Sequence, residues 1–231
     1  MSKIEVKELN ISHQNKQLVD ISFNIENTTA LIGESGSGKS LTLKALLNLL
    51  PSELNVKLNL KSQFELDVSN IGFIPQNPFT SLSPMTKIKN QFFCDKEKKK
   101  ELLNLVGLEE WVLNRFPIQL SGGQLQRVVI AMVLSKKIKL LLLDEPTTAL
   151  DEKSKIKIIE LIKQITSKLQ IPILFVTHDI ESIKTICENL IIIKKGKVIE
   201  KGKTLELIKN PKNDYTKVLI DSNFKNREFR K

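Results

Sequence analysis

The sequence has few aromatic residues and no long apolar run, and each shortage excludes a class of protein. Aromatic residues make up 5% of the 231 positions, which argues against a base-stacking platform for nucleic acids. Apolar runs such as Leu140–Leu143 and Leu190–Ile193 are far shorter than the roughly 20 residues of a transmembrane helix. The charged start MSKIEVKELN does not have the pattern of a secretory signal. The sequence therefore predicts no membrane-spanning segment.

Cysteine is also scarce, and the positive charge is not concentrated anywhere. Cys94 and Cys187 are the two cysteines, too few for a disulfide framework and without metal-ligand spacing, which fits a reducing, cytosolic setting. The formal net charge is +10, but the lysines are spread along the chain among 26 acidic residues. This distribution favours a solvated surface over a basic patch, so we expect no nucleic-acid partner.

Hydrophobic patterning predicts an α/β chain that starts with antiparallel strands. Apolar and polar residues alternate over Lys3–Ile11 and again over Leu18–Ile25, as in strands with one buried face. The short apolar segment Thr28–Gly33 predicts a strand that enters a glycine-rich loop. Helical spacing then continues from Ser40 to a stop at Pro51.

The middle of the sequence predicts a helical insertion into a largely parallel sheet. Two or three strand-like pieces over residues 56–74 are followed by a turn-rich segment, after which residues 85–135 have helical patterning. The continuous apolar stretch before Asp144 is typical of a strand buried on both faces of a parallel sheet, and a helix over Glu152–Leu169 follows it. Further strands on either side of a short helix complete an alternation of strand and helix, as in doubly wound folds.

The segment GESGSGKS, residues 33–40, matches the phosphate-binding pattern G-x-x-x-x-G-K-[ST] between a predicted strand and a predicted helix. Its glycines let backbone N–H groups point at phosphate oxygens, its lysine supplies a positive charge, and its final serine can bind Mg²⁺. A turn that only caps a helix is the alternative, which the agreement of spacing, lysine and flanking elements disfavours. The predicted ATP-binding residues of this loop are Gly33, Glu34, Ser35, Gly36, Ser37, Gly38, Lys39 and Ser40.

The segment LLLLDEP supplies the second half of such a site. Asp144 comes at the carboxyl end of the predicted buried strand, where it can hold Mg²⁺ through water. Glu145 follows and is placed to accept a proton from an attacking water molecule. An ordinary acidic turn is the alternative for these two residues taken alone, and the phosphate-binding loop about 100 residues earlier disfavours it.

A second glycine-rich turn, LSGGQLQRV, opens another predicted helix. Ser121 is a good N-cap, and its spacing to Gln124 matches a capping box. A well-started helix would explain these two residues but not Gly122 and Gly123, which cost helix stability and are useful where backbone must approach something closely. Since one triphosphate is already held by the first loop, the second turn is best interpreted as contacting a nucleotide bound by another subunit.

With these motifs in order, the sequence resembles the nucleotide-binding subunits of ABC transporters over nearly its whole length. Five motifs carry the resemblance: the Walker A loop Gly33–Ser40, the Q-loop at Gln76 in FIPQNP, the signature Leu120–Gln124, the Walker B segment LLLLDE with the D-loop Thr148–Asp151, and the H-loop at His178 in THD.

The resemblance implies a role for each motif. Two subunits would enclose two Mg-ATP head to tail, each between the Walker A loop of one chain and the signature of the other, which here is Leu120, Ser121, Gly122, Gly123 and Gln124. Gln76 would contact Mg²⁺ and the attacking water, with Ser40 and Asp144 as the other magnesium contacts. Asp151 would bridge the subunits, and His178 would join Glu145 and Gln76 as a catalytic residue by contacting the γ-phosphate. A surface histidine in a turn is the alternative for His178.

The adenine contact departs from the family pattern. The aromatic residue that usually stacks on adenine near the first strands is missing as Tyr, Phe or Trp. His13 lies in the matching region and could stack, although Ser12 aligns almost as well and a plain loop histidine is the alternative.

The resemblance also implies a domain plan. We expect one ABC ATPase domain over residues 1–231, an α/β P-loop NTPase core with a mostly parallel sheet and helices on both faces. The core, together with an antiparallel β part, would cover residues 1–76 and 136–220. A helical subdomain would be inserted over residues 77–135, and residues 221–231 would form a loosely held basic tail.

Within the family, the segments PQNPFTSLSPMTKIKNQF after the Q-loop, LSGGQLQRVVIAMVL at the signature and NPKNDYTKVLI near the C-terminus look like the ATPases of oligopeptide and nickel importers. The alternatives are that Ser83-Pro84 is only a turn and that PKNDYT is only the start of a terminal helix. The short distances between motifs and the lack of a cysteine-rich C-terminal extension favour the nickel or metal-complex branch. The implied function is ATP hydrolysis that drives uptake of nickel, a metal chelate or oligopeptide. A soluble ABC ATPase acting on ribosomes or DNA is the alternative, but the sequence has no second cassette, coiled-coil insertion or zinc cysteines.

The subfamily resemblance further implies partners and a location. A second, related ATPase is favoured over a second copy of this chain. Two transmembrane permease subunits and, indirectly, an extracytoplasmic solute-binding protein would complete the transporter. The chain would lie peripherally at the cytoplasmic face of the cell (inner) membrane.

Overall fold

The computed structural model describes residues 3–148 and 150–228, with side chains described as far as Ser222. Two β-sheets and seven α-helices are present in these residues. The strands are β1 Lys3–His13, β2 Lys16–Glu26, β3 Thr28–Ile32, β4 Asn55–Ser62, β5 Ile71–Ile74, β6 Leu140–Asp144, β7 Ile173–Val176, β8 Asn189–Lys194 and β9 Lys197–Lys203. The helices are α1 Lys39–Leu46, α2 Lys96–Leu105, α3 Gly122–Leu134, α4 Glu152–Leu169, α5 Ile180–Ile186, α6 Thr204–Lys209 and α7 Asp214–Glu228.

The smaller sheet is antiparallel, with strand order β2-β1-β4. Alternate residues of β1, Ile4, Val6, Leu9 and Ile11, are buried, and a register shift between Val6 and Leu9 keeps the apolar side chains on the inner face. The predicted antiparallel start of the chain is therefore confirmed.

The larger sheet has the strand order β5-β6-β7-β3-β8-β9. Its first five strands run parallel, and β9 returns antiparallel to β8. Strand β6 shows why its sequence is continuously apolar: Leu141 and Leu143 pack into the core on one face, whereas Leu140 and Leu142 pack into the core on the other. The predicted α/β fold with a mostly parallel sheet, an antiparallel β part and helices is confirmed.

Helix α1 is shorter than its sequence predicts, since it ends at Leu46 and not near Pro51. Asn48 adopts the left-handed conformation, with φ of 54°. The N–H groups of Leu49 and Asn48 donate to the carbonyls of Lys44 and Ala45, which is the hydrogen-bond pattern of a Schellman helix end. The helix therefore ends through its own last turn, without help from the proline.

Helices α2 and α3 and four short 3₁₀ turns lie in the segment predicted as the helical insertion. The division of the chain into core and helical subdomain stays a prediction, because apolar residues of this segment share one continuous core with the large sheet. Helix α7 extends to Glu228 and so covers much of the predicted tail, while residues 229–231 lie outside the described part of the chain. None of the helices in the described residues is both long and apolar enough to cross a bilayer.

Candidate active site

The predicted phosphate-binding loop connects the carboxyl end of β3 to the first turn of α1. Two of its glycines have backbone angles that other residues rarely adopt, with φ of 75° at Gly36 and 110° at Gly38. A Cβ atom at Gly38 would lie 2.9 Å from Cγ2 of Val19, so strand β2 leaves room for backbone alone. Helix α1 begins directly after Gly38, and no side chain caps it, which leaves its first N–H groups to other acceptors.

Lys39 lies buried inside this loop. Its ammonium group donates hydrogen bonds to the carbonyl oxygens of Gly33 at 2.7 Å and Glu34 at 3.0 Å. Burial lowers the pKa of Lys39, while the nearby charges of Glu145 and Asp144 oppose that shift. A cation that has lost water is well suited to an anionic ligand such as a triphosphate, so the loop fits the ligand that the sequence predicts.

Residues distant in sequence complete the loop. The N–H of Gly196, in the turn between β8 and β9, donates to the carbonyl of Ser37 at 2.9 Å. The N–H of Glu34 donates to the hydroxyl of Tyr215 at 3.1 Å. The sequence analysis predicted neither contact. Gly196 is typical of a turn, but no motif near Gly196 or Tyr215 connects these residues to the phosphate-binding loop.

The predicted catalytic residues Gln76 and His178 lie close to one carboxylate oxygen of Glu145. Its Oε2 accepts hydrogen bonds from Oγ1 of Thr148 at 2.9 Å and Nε2 of Gln76 at 3.4 Å, and it lies 3.3 Å from Nδ1 of His178. Glu145 itself has a left-handed backbone with φ of 44°, and its N–H donates to the carbonyl of Val176 at 2.8 Å. The structure therefore brings Gln76, Glu145 and His178 together, and it adds Thr148, whose part sequence reasoning missed.

The protonation of this cluster follows from its contacts. The hydrogen bond with His178 is the largest cause of a lowered pKa at Glu145, and the same contact raises the pKa of His178. Burial, together with the adjacent charge of Glu145, raises the pKa of Asp144. The contacts of Glu145 thus favour its ionised form, whereas burial and the charge of Glu145 disfavour the ionised form of Asp144, against the opposing charges of Lys39 and Lys44.

The donor set around Asp144 fits Mg²⁺. Asp144 is half-buried at the end of β6, and Ser40 is exposed in the first turn of α1. Among the described residues, no group of three or more His, Cys, Asp or Glu side chains is placed to hold a metal. A site with one carboxylate, a hydroxyl and substrate oxygens is the kind that Mg²⁺ uses with phosphate ligands, so Ser40, Gln76 and Asp144 stay the predicted magnesium contacts.

The signature turn satisfies its own hydrogen bonds and packs against helix α4. The N–H of Gln124 donates to the hydroxyl of Ser121 at 3.3 Å, and the N–H of Ser121 donates to Oε1 of Gln124 at 2.9 Å. A Cβ atom at Gly123 would lie 2.7 Å from Oγ of Ser154. Within the described part of the chain, no hydrogen bond connects Leu120–Gln124 with Gly33–Ser40.

The two remaining predicted site residues, Asp151 and His13, lie outside the Glu145 cluster. Asp151 caps α4 by accepting a hydrogen bond from the N–H of Ser154 at 3.0 Å, and Ala149 of the same D-loop lies outside the described residues. His13 is exposed at the end of β1, opposite Lys16 of β2, so its contact with adenine stays a prediction.

The sequence of this chain is similar to a family model and to several characterised proteins. A family model described as ABC transporter matches residues 17–148. The oligopeptide transport ATP-binding protein OppD of Bacillus subtilis is 34% identical over 95% of this chain and 71% of its own length. The methionine import ATP-binding protein MetN 1 of Oenococcus oeni is 38% identical over 83% of this chain and 59% of its own length.

Solved structures agree in fold. The cbiO1 protein of Clostridium perfringens, described as part of the ABC transporter complex cbiONQ, superimposes with a TM-score of 0.76 at 27% identity, over 90% of each chain. The dimeric ATP-binding cassette MJ0796, bound to ADP and Pi after hydrolysis, gives a TM-score of 0.69 at 29% identity, over 88% of this chain and 99% of its own.

Proposed function

Because the chain belongs to the ABC transporter family of ATP-binding proteins, and is an ATPase of that class, we propose that it drives solute uptake through separate membrane subunits. The uptake part of this proposal is supported by the import and transport names of its relatives, and the hydrolytic part is carried by the convergence of Gln76, Thr148 and His178 on Oε2 of Glu145. This arrangement suits hydrolysis more than simple nucleotide binding, because it holds an ionised carboxylate beside the phosphate-binding loop.

Each residue has a defined part in the proposed reaction. Lys39 and the N–H groups of Gly33–Ser40 bind the triphosphate and hold it in one orientation. Glu145 accepts a proton from the attacking water. His178 and Gln76 keep the Glu145 carboxylate in place and present donors toward the phosphate. When bound by Ser40, Gln76 and Asp144, Mg²⁺ would neutralise charge on the phosphate oxygens.

The proton-accepting role of Glu145 is tested by Glu145→Gln. The amide has nearly the same shape but no affinity for a proton at neutral pH, so we expect ATP to bind with unchanged affinity and turnover to fall to background. Unchanged turnover would remove Glu145 from its role. Glu188→Gln, an acid-to-amide change outside the loop and the Glu145 cluster, is the matched control and should leave turnover intact.

We further propose that the signature completes the site of a second ATPase subunit. Two observations support this proposal. Among the described residues, Leu120–Gln124 makes no hydrogen bond to the Walker A loop of the same chain. Ser121 is nevertheless exposed at the N-terminus of helix α3, where the helix dipole favours an anionic ligand. We favour a related ATPase as the partner, as in the subfamily that the sequence resembles.

Mixing two inactive variants tests this assembly. In a mixed pair of Lys39→Ala and Ser121→Arg chains, one site joins an intact Walker A loop to an intact signature and the other site lacks both. Each variant alone should therefore be inactive, and an equal mixture should recover up to about one quarter of wild-type activity if chains pair at random. The measurement is steady-state ATPase, preceded by sedimentation to verify pairing. Where the chain pairs only with a related ATPase, the two changes are divided between the partners. No recovery in verified pairs would contradict a shared site.

We propose short peptides as the transported solute. Both the sequence segments after Gln76 and the names of relatives such as OppD support this class, while nickel or a metal chelate stays the weaker prediction. Proteoliposomes that contain the membrane subunits should hydrolyse ATP faster when the solute-binding protein is loaded with an oligopeptide. Stimulation by nickel or methionine, without any by peptides, would overturn the choice of peptides but not the ATPase function.

The proposed location is the cytoplasmic face of the cell (inner) membrane, where the chain binds peripherally to two permease subunits. The support is the same family relationship, since the relatives are named as ATP-binding proteins of transport. Copurification of the chain with its permease subunits from detergent-solubilised membranes is the measurement that checks it.

A further inference from the structure

We propose that Tyr215 is a positioning residue for nucleotide binding, acting through the first peptide of the Walker A loop. The inference rests on the assignment of Gly33–Ser40 to phosphate binding. Tyr215 lies 181 positions along the chain from its partner in the loop and outside the part that matches the family model. It is the chain's one tyrosine.

The contact is made at a position that controls Lys39. The N–H of Glu34 donates to the Tyr215 hydroxyl at 3.1 Å, and the carbonyl of the same peptide, that of Gly33, accepts from the Lys39 ammonium at 2.7 Å. Because a peptide unit is planar, fixing the direction of the N–H also fixes the direction of the carbonyl. Tyr215 therefore helps to orient the nearer of the two carbonyl groups that hold the lysine.

The phenol ring is itself held in place. It is half-buried, and the ammonium group of Lys194 lies 4.1 Å from the ring centroid, within the range of a cation–π contact. Lys194 ends strand β8, directly before the turn whose Gly196 N–H binds the Ser37 carbonyl. The same strand end thus supports both the middle of the loop and the ring that binds its start.

Tyr215 lies in the first turn of helix α7, and hydrogen bonds hold the start of this helix in place. The carboxylate of Glu200, on β9, accepts hydrogen bonds from the N–H groups of Lys212 at 2.9 Å and Asn213 at 3.2 Å. The side chain of Asn213 then accepts the N–H of Tyr215 at 2.9 Å. This chain of hydrogen bonds gives the segment PKNDYT a function beyond starting a helix: it carries the phenol to the nucleotide loop.

The first test is Tyr215→Phe, which removes the hydroxyl and keeps the ring. The dissociation constant for ATP, measured by calorimetry, should rise about 2- to 10-fold, the effect of one hydrogen bond, while turnover at saturating ATP changes far less. Thr166→Val, which removes an exposed hydroxyl on α4 that bonds within its own helix, is the matched control and should leave ATP affinity unchanged. An unchanged dissociation constant in Tyr215→Phe would overturn the inference.

The second test uses the wild-type sequence. Fluorotyrosine incorporation labels position 215 alone, so the fluorine NMR spectrum should contain one tyrosine signal, and that signal should move when Mg-ATP binds. A signal that does not move at saturating Mg-ATP would overturn the inference. The Lys39→Ala variant separates the role of the loop from the role of Tyr215. If Lys39→Ala binds ATP normally, the assignment of the loop to phosphate binding fails. If Lys39→Ala binds ATP weakly and Tyr215→Phe binds it normally, only the role of Tyr215 is rejected.

Discussion

The Walker A loop and the signature turn are both glycine-rich entries to a helix, and they differ in what their own chain supplies. At the Walker A loop no side chain caps α1, and the chain contributes a buried lysine, the turn at Gly196 and a distant tyrosine. At the signature, Ser121 and Gln124 cap α3 themselves, and no comparable cation is buried among the described residues. The first region is therefore a nearly complete binding site within one chain, whereas the second is a self-capped turn that, in the function proposed above, contributes to the site of a partner subunit.

The largest expected difference between the two regions is in nucleotide affinity. Lys39→Ala removes a buried cation and should weaken ATP binding about 10- to 150-fold, the range for a hydrogen bond to a charged group. Ser121→Arg should leave ATP binding to the single chain unchanged. Calorimetry on both variants checks this, with Lys44→Ala on the exposed face of the same helix as a control. Equal losses of affinity in the two variants would remove the distinction between the regions.

The next prediction concerns the reason for Gly123. A methyl group there would lie 2.7 Å from Oγ of Ser154, so Gly123→Ala should lower the free energy of unfolding by about 1–3 kcal/mol and reduce ATPase activity. Ser154→Gly in the same chain makes room for the methyl group and should restore much of the lost stability. Urea denaturation of both single variants and the double variant measures the coupling. If the two changes are simply additive, packing against α4 is not the reason for the glycine.

A smaller effect is expected at the cap of α3. Ser121→Ala removes the acceptor for the Gln124 N–H and should cost about 1 kcal/mol of stability, or about 2–4 °C in Tm for a chain of this size. Ser121→Asn keeps a capping oxygen and should lose little. Thermal unfolding followed by circular dichroism tests this pair. Equal melting temperatures for the alanine variant and the wild type would show that the cap contributes no stability.

The smallest predicted effect is a pH dependence at the ion pair between helix α4, against which the signature packs, and the start of helix α5. Lys155, next to Ser154 on α4, lies 2.7 Å from the Asp179 carboxylate, beside His178. Burial alone would raise the pKa of Asp179, but the hydrogen bonds from Lys155 and Ser182 hold it below its ordinary value of 3.8. The ionised form is thus favoured by folding, so its contribution is present above pH 3.8 and is lost as pH falls through the lowered pKa.

Asp179→Asn should therefore be less stable than the wild type by about 0.5–1 kcal/mol near neutral pH. The difference should close in acid, and denaturant unfolding at several pH values measures it. A difference that stays constant below pH 3.8 would contradict the assignment, since it would then arise from shape and not from charge.

The parts of the fold that follow from local pattern were predictable from the sequence. Alternation gave the antiparallel strands, the apolar run before Asp144 gave a strand buried on both faces, and helix α4 begins and ends where its pattern indicates. The end of α1 was wrong because Pro51 is a conspicuous stop, while the left-handed conformation of Asn48 ends the helix earlier.

The phosphate-binding motifs could also be identified from the sequence, because their residues are close together in the chain. The residues from distant segments that pack around these motifs could not be predicted. The placement of Gln76 and His178 at Glu145 depends on three different strand ends, and only the resemblance to a family connected them. Tyr215 and Ser154 act through contacts between distant segments, which no pattern in the sequence near them reveals. Gly123 was predicted to serve a ligand, whereas the structure gives it an additional reason within its own chain.

The left-handed backbone of Glu145 has a consequence for anyone who engineers this enzyme for heat resistance. A residue other than glycine, asparagine or aspartate at that φ costs the fold on the order of 1 kcal/mol, and relief of such strain is a common source of stabilised variants. A screen that rewards melting temperature alone would therefore select glycine or asparagine at position 145 and discard the proton acceptor. At this residue, selection for thermal stability and selection for turnover favour different side chains. Glu145 should therefore be kept unchanged in any library of variants.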